Sequence, residues 1–339
     1  LIREGYNKKY KIVWMLQNKK PKQLPDNVIC FNLFRPSYRK TYYFYTAKYM
    51  TSDHHILGRK RNGQTACYLD HGAIGLKAFK GMITLPDELD CILVPSKYLA
   101  PILADQYNLP YPNNKQRVLG YPIHDIFYSD RPGDLGKLTH KKYQKVILWM
   151  PTFRKSVDFN RIDSDNELPL GIPIIKDIES CKKLNDFLRL NNTFLIVKIH
   201  PMQDLTTVKI RDMSNILVLD ANTVKQRGVD NYRLMKDVDA LISDYSSAAY
   251  DFMHADKPIA FTLDDAEDYK LGFLFENPLN YMPGHIVYNQ EEFMGFIQDV
   301  IEGKDPYKSE REKISNLFYA YHDENGSRRL AEYMGLTKA

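Results

Sequence analysis

Three short stretches in the second half of the chain carry residues that could grip a phosphate. They are Thr152 and Arg154 after the apolar run Val146–Met150, Lys198 and His200 around the end of Phe194–Ile199, and Asp244, Ser246 and Ser247 after Val238–Ile242. Each apolar run reads as a buried strand, and Ala248, Ala249, Phe252 and Met253 follow the third at helical spacing. Strand, hydroxyl-rich turn and helix start put Asp244–Ser247 at the carboxyl end of a strand, where α/β sheets bind ligands. The N–H groups and positive dipole end of a helix N-terminus favour a phosphate there, and the serine hydroxyls add donors. Arginine offers phosphate a planar fork, lysine a compact charge. A plainer reading stays open at each place: Asp244 or a serine capping the helix, Arg154 in a surface ion pair, His200 packed in a turn before Pro201. Three such ends in one domain tip the balance towards a ligand edge.

In the first half, His71–Gly72 follows the short run Thr65–Leu69. A histidine there suits a general base, because its proton affinity lies near neutrality. Gly72 permits close backbone approach. The alternative is a hydrogen-bonded loop histidine. Lys77 and Lys80, with Arg59–Lys60–Arg61, form a basic region. It fits a solvated face, anionic lipid or a polyphosphate acceptor.

The elements that must hold these groups alternate along the chain. Lys11–Leu16, Val28–Phe34, Cys91–Val94 and Val118–Leu119 read as strands, as do Ile216–Leu219 and Pro258–Thr262. Tyr42–Tyr49 reads as a helix with aromatic faces, and Leu99–Tyr107 as one capped by Ser96. Strands alternating with helices predict parallel sheets. Tyr128–Gln144 turns polar and reads as a linker. Asp158–Pro173 is a long irregular insertion, expected to be a lid or substrate loop. Ser309–Leu336 reads as mostly helical. The expected spans are an amino-terminal acceptor- and membrane-facing domain, 1–140, a donor-binding domain, 141–315, and a carboxy-terminal helix, 316–339.

Composition agrees with an ordinary globular chain. Its 339 residues exceed what one core usually holds, with 44% hydrophobic and 26% charged residues. A net charge of +5 and a pI of about 8.7 suit an anionic ligand or membrane surface and are too weak to point to nucleic acid. Four scattered cysteines (Cys30, Cys67, Cys91, Cys181) lack metal-site spacing and read as reduced thiols of a cytosolic protein. No run approaches the ~18 apolar residues of a membrane span, and no signal peptide is visible. The chain starts at Leu1 and enters a strand almost at once, which leaves room for an earlier element. There is no GxGxxG, no GxxxxGK[ST] and no HExxH. Asp163–Ser164–Asp165 is a DxD tripeptide, but it sits in the polar insertion rather than at a strand end. No metal and no resident cofactor are expected.

Taken together, Trp149–Arg154, Lys198–Pro201 and Ser243–Ser247 resemble the CDP-glycerol glycerophosphotransferase family of teichoic acid and capsule synthesis. His71–Gly72 with Lys77, Gly120–Tyr121–Pro122 and Asp323–Arg328 fit the same pattern, over about Tyr10 to Arg329. The resemblance implies a GT-B-like α/β fold, two Rossmann-type domains with parallel sheets facing a central cleft. It implies a peripheral enzyme at the cytoplasmic face of the plasma membrane that moves glycerol phosphate from CDP-glycerol to a hydroxyl of a lipid-linked saccharide or polyol-phosphate acceptor. A CDP-ribitol-dependent transferase and a nucleotide-sugar glycosyltransferase are the alternatives. Carried over, His71 is the base and His200 a second catalytic histidine on the donor phosphates. Arg154, Lys198, Ser246, Ser247 and Thr152 bind donor, and Asp244 orients the serine turn or the alcohol hydroxyls. The chain departs from the family where His71 to Lys77 is one residue longer and where Ile123–His124 replaces an arginine-containing pair.

Overall fold

Unbroken apolar runs make the inner strands of the largest sheet, because that sheet is parallel and covered on both faces, whereas the short pair Lys155–Ser156 and Arg161–Ile162 is antiparallel. The computed structural model describes residues 1–17, 20–70, 72, 74–153, 155, 156, 161, 162, 168–264 and 272–338. The strands are β1 (Ile12–Leu16), β2 (Val28–Asn32), β3 (Tyr49–Ser52), β4 (Thr65–Tyr68), β5 (Cys91–Leu93), β6 (Gln116–Arg117) and β7 (Lys145–Trp149). They continue with β8 (Lys155–Ser156), β9 (Arg161–Ile162), β10 (Thr193–Lys198), β11 (Ile216–Leu219), β12 (Ala240–Ser243), β13 (Ile259–Thr262) and β14 (His285–Val287).

The chain divides into two compact units. Unit 1 holds Leu1–His71, Ile83–Asp125 and Asp323–Ala339, and unit 2 holds Gly72–Met82 and Ile126–His322. Unit 1 has a parallel pair, β1-β2, and a parallel four-stranded sheet, β3-β4-β5-β6. Unit 2 has a six-stranded parallel sheet in the order β11-β10-β7-β12-β13-β14. Renumbered from β7, that is the 3-2-1-4-5-6 order of the doubly wound dinucleotide fold. Its core runs through Ile147, Trp149, Leu195, Val197 and Ile242 to Phe293 and Phe296 of the helix Gln290–Glu302. Asp177, Asp220, Asp230 and Asn289 accept backbone N–H bonds at the starts of four of its helices. All four cysteines are buried free thiols.

These units differ from the expected spans in three places, each for a tertiary reason. Residues 72–82 join unit 2 through backbone bonds. Leu76 N–H donates to Tyr245 O, Ala78 N–H to Gly272 O, and Leu274 N–H to Leu76 O. The polar stretch after Tyr128 is no linker but part of unit 2. Leu135 N–H donates to Asp237 Oδ2 at 2.9 Å, buried Asp134 pairs with Arg233, and Lys236 Nζ donates to Ser129 O and Arg131 O. The carboxy-terminal helical stretch is shared: the helix Lys308–Phe318 stays with unit 2, whereas Gly326–Tyr333 joins unit 1. There the buried Asp125 carboxylate accepts from Gly326 N at 2.8 Å and Ser327 N at 3.0 Å, and Arg329 grips Asp323 and donates to Leu119 O. The Gly120–Asp125 and Asp323–Arg328 motifs are therefore one structural clasp.

Two further expectations change. The last part of the 158–173 insertion is core rather than lid, since Leu170 and Ile172 are buried with Ile174 and Ile175 beyond them. The aromatic helix spans Tyr38–Thr46, earlier than the spacing predicts, because Tyr49–Ser52 pairs with β4.

Candidate functional site

The reversal of strand order in unit 2 falls between β7 and β12, which are hydrogen-bonded neighbours. At such a switch point the loops beyond the strands part and leave a crevice. Here those loops are Met150–Phe153 and Asp244–Ser247, and a carboxylate ties them together. Asp244 is fully buried and accepts from Thr152 N at 2.8 Å, from Thr152 Oγ1 at 2.5 Å and from Ser246 N at 3.1 Å. Its two oxygens fix the turn from within. Beneath them Ser243 Oγ donates to Met150 O and Thr262 Oγ1 to Ser243 O, so three adjacent strands share one polar seam.

The serines that follow are half-buried. Ser246 is the N-cap of the helix Ser247–Phe252, its Oγ accepting from Ala248 N at 3.4 Å, so the capping reading holds for it. Ser247 is approached by the segment after His71. A Cβ on Gly72 would stand 2.4 Å from Ser247 Oγ, and one on Gly75 would stand 3.1 Å from Ser247 N. Only glycine lets this backbone lie on the serine turn.

That approach delivers Lys77. Its Nζ donates to Thr152 Oγ1 at 3.2 Å and lies 5.4 Å from the ring centroid of buried Tyr245. Lys77, Thr152, Asp244 and Ser246 N form one chain of donors and acceptors across the switch point. The sequence assigns Lys77 to a basic region with Arg59–Lys60–Arg61; Lys77 belongs to unit 2 and those three to unit 1, where two of them have partners of their own. Arg59 pairs with Asp90 at 3.3 Å, and Arg61 donates to the carbonyls of Tyr45 and Thr46. The spacing from His71–Gly72 is the signal that marks Lys77.

The third strand end comes from β10, next to β7 on its other side. Val197 is the Cα partner of Trp149, so Lys198 comes level with the first residue of the Met150–Phe153 loop. Lys198 is 4% exposed, and burial alone lowers its ammonium to about 8. A cation desolvated in this way gains from an anion brought to it. His200 Nδ1 accepts from Met202 N at 3.1 Å, and its ring lies 5.0 Å from that of Phe153. With Nδ1 an acceptor, the neutral ring carries its proton on Nε2.

The structure thus gathers Thr152, Asp244, Ser246 and Ser247, with Lys198 and His200 at the neighbouring strand end, and adds Lys77. His71, Arg154 and Asp163–Asp165 lie outside the described residues. Among the described residues no group of three or more His, Cys, Asp or Glu side chains is placed to hold a metal ion. Nor, among them, is any helix long and apolar enough to cross a membrane.

Comparison with known proteins agrees with this architecture. The wall teichoic acid polymerase TagF superposes with a TM-score of 0.72 at 18% identity, over 97% of this chain and 84% of that one, which shows the fold. The teichoic acid glycerol-phosphate primase of Bacillus subtilis (strain 168) is 26% identical over 254 residues, 72% of this chain and 57% of that protein. Its counterpart in Bacillus spizizenii is 28% identical over 259 residues, 72% of this chain and 58% of that protein. The teichoic acid ribitol-phosphate polymerase TarL of Staphylococcus aureus is 31% identical over 198 residues, 56% of this chain and 30% of that protein. The chain therefore spans little more than half the length of the primases it matches. The sequence model of one family covers residues 2–335, and with it the switch point and both halves of the clasp: the chain belongs to the CDP-glycerol:poly(glycerophosphate) glycerophosphotransferase family.

Proposed function

We propose that the protein transfers glycerol phosphate from CDP-glycerol to a hydroxyl of a lipid-linked saccharide or polyol-phosphate acceptor, releasing CMP, in teichoic acid or capsular polymer synthesis. The observation that carries this reading is the polar seam at the β7–β12 switch point, with Lys77 and the buried Lys198 beside it. A diphosphate there would meet two ammonium groups and the hydroxyls of Ser246 and Ser247. The acceptor oxygen attacks the β-phosphorus, a new P–O bond forms, and the bond from that phosphorus to the CMP oxygen breaks. Charge builds on the phosphoryl and leaving oxygens, so fixed cations and N–H or O–H donors are what the step needs.

Roles follow from each residue's chemistry. Asp244 is an orienting group, because its oxygens are engaged by Thr152 and Ser246 and a carboxylate repels phosphate. Thr152 passes that orientation to Lys77. His200, with Nδ1 occupied, donates from Nε2 to the departing phosphate rather than taking a proton. Arg154, next after Phe153 in the sequence, adds a fork to the donor phosphates. His71 takes the acceptor proton; its sequence neighbour Gly72 packs on Ser247. Since cations of the chain balance the phosphate charge, no divalent metal is required, and transfer is expected to survive a chelator.

We further propose a peripheral protein at the cytoplasmic face of the plasma membrane, where the acceptor lipid is held, with no nucleic-acid partner. A ribitol donor is the second reading, favoured by the 31% identity to TarL. Incubation with CDP-glycerol, CDP-ribitol or a UDP-sugar, with lipid-linked acceptor and with or without chelator, tests all of this. CMP release and added units from CDP-glycerol alone are expected; UDP release would overturn the reading.

A further inference from the structure

The residue just ahead of His71 is an acid clamped by two tyrosines. Asp70 leaves the end of β4 with a φ of +60°, in the left-handed region that residues other than glycine seldom enter. Leu69 N still donates to Ser52 O, so strand pairing runs right up to this reversal. The Asp70 carboxylate is then gripped at both oxygens: Tyr68 Oη donates to Oδ1 at 3.3 Å and Tyr107 Oη to Oδ2 at 3.1 Å. Tyr68 belongs to β4 itself, whereas Tyr107 ends the helix Leu99–Gln106, 37 residues further along the chain.

Both tyrosines are buried. Burial, together with the negative charge of Asp70, pushes their phenols above the ordinary range, so they stay protonated and keep donating. Two separate elements of unit 1 thus hold one residue in a disfavoured backbone conformation. Strain of this kind collects where a side chain has to be aimed. His71 is the last residue of unit 1 in this stretch and Gly72 the first of unit 2, where Gly72 lies on Ser247. Each sequence neighbour of His71 therefore has its own anchor, and on the side of unit 1 that anchor is a carboxylate.

We infer that Asp70 is a positioning residue: its carboxylate, pinned by the hydroxyls of Tyr68 and Tyr107, holds the left-handed turn that sets the direction in which the chain enters His71. The inference rests on the proposed function in taking His71 as the group that accepts the proton of the attacking hydroxyl. Asp70 acts through His71 alone, so its loss should slow the chemical step and spare donor binding.

Three kinds of variant and one donor-free signal test this. Asp70→Gly permits the left-handed backbone and removes the carboxylate. It should lower kcat for transfer about 10- to 100-fold, with the KM for CDP-glycerol within about two-fold of wild type. Asp70→Asn should bring kcat back to within about three-fold of wild type, because asparagine tolerates the same φ and its amide can accept from one hydroxyl and donate to the other. In a His71→Ala background, Asp70→Gly should cost less than about two-fold more, since no imidazole is left to aim. Calorimetric CDP-glycerol affinity should stay at the wild-type value in the Asp70 variants. The donor-free signal is the imidazole resonance of His71 in protein made with isotope-labelled histidine, identified by its absence from His71→Ala. Tyr68→Phe/Tyr107→Phe should shift it. Wild-type kcat in Asp70→Gly, an Asp70→Asn variant as slow as Asp70→Gly, a full further loss in the His71→Ala background, or an unmoved imidazole signal each overturns the inference. Wild-type protein that neither binds nor turns over CDP-glycerol would instead sink the proposed function, and the imidazole signal would then decide this inference by itself.

Discussion

The switch point of unit 2 and the aromatic helix of unit 1 solve opposite problems. At the switch point the groups that shape the turn hold one another: Asp244 to Thr152 and Ser246, Thr152 to Lys77, Ser243 to Met150. The helix Tyr38–Thr46 packs through Tyr43 and Phe44 and leaves Tyr38, Tyr42 and Tyr45 outward. A ligand of fixed shape rewards the first arrangement, because donors set in advance need no reorganisation when charge develops. The second leaves aromatic rings and positive side chains facing out on a held backbone.

Substitutions should divide along that line. The largest effect is expected from His71→Ala, which should cut transfer by about 10²–10⁴-fold with CDP-glycerol affinity nearly unchanged, read by CMP release and calorimetry. Asp244→Ala strands Thr152 N and Ser246 N in a buried seam. It should cost ~2–4 kcal/mol in denaturant unfolding and remove donor binding with it.

Lys198 separates binding from stability. Unfolded, its ammonium titrates near the ordinary 10.5, whereas folded it titrates at about 8. The unfolded chain holds that proton more tightly, so the stability loss is full below pH 8 and disappears as pH rises to 10.5. Lys198→Met should therefore stabilise the protein at neutral pH by up to roughly 3 kcal/mol while weakening CDP-glycerol binding. Donor affinity of the wild type should fall as pH rises through about 8, and the methionine variant should show no such slope. A flat wild-type profile would remove Lys198 from the donor site. Smaller still, Ser246→Ala and Ser247→Ala should each weaken donor binding about two- to ten-fold. Tyr38→Ser/Tyr42→Ser/Tyr45→Ser should leave it untouched, since all three side chains are exposed, and any loss there would erase the contrast between the two regions.

Much of the edge is legible in the sequence. Buried parallel strands read as unbroken apolar runs, as Thr193–Lys198 does, and the residues just beyond each run must lie on one sheet edge. What was not legible depends on partners far away in sequence. Lys77 reaches Thr152 because its segment pairs with Phe273 and lies on the Tyr245 turn, neither of which local spacing reveals. The stretch after Tyr128 looks like a linker because it is polar, yet its polar groups meet the helix Asn231–Asp237. Arg59–Lys60–Arg61 fits a solvated face, anionic lipid or a polyphosphate acceptor equally well by charge alone, and only the fold shows Arg59 and Arg61 held by an acid and by carbonyls. The tyrosines of Tyr38–Thr46 read as a helix, but apolar residues at helical spacing say nothing about which face meets water.

The clasp at Asp125 has a bearing on how the molecule is made. Unit 2 is complete in covalent terms once His322 has left the ribosome, since its detached piece, Gly72–Met82, was synthesised long before. Unit 1 must wait for Gly326 and Ser327 to quench a carboxylate that burial otherwise pushes towards its protonated form. The half begun first is thus the half finished last, and a nascent chain arrested before Gly326 should present a settled unit 2 and an unfinished unit 1.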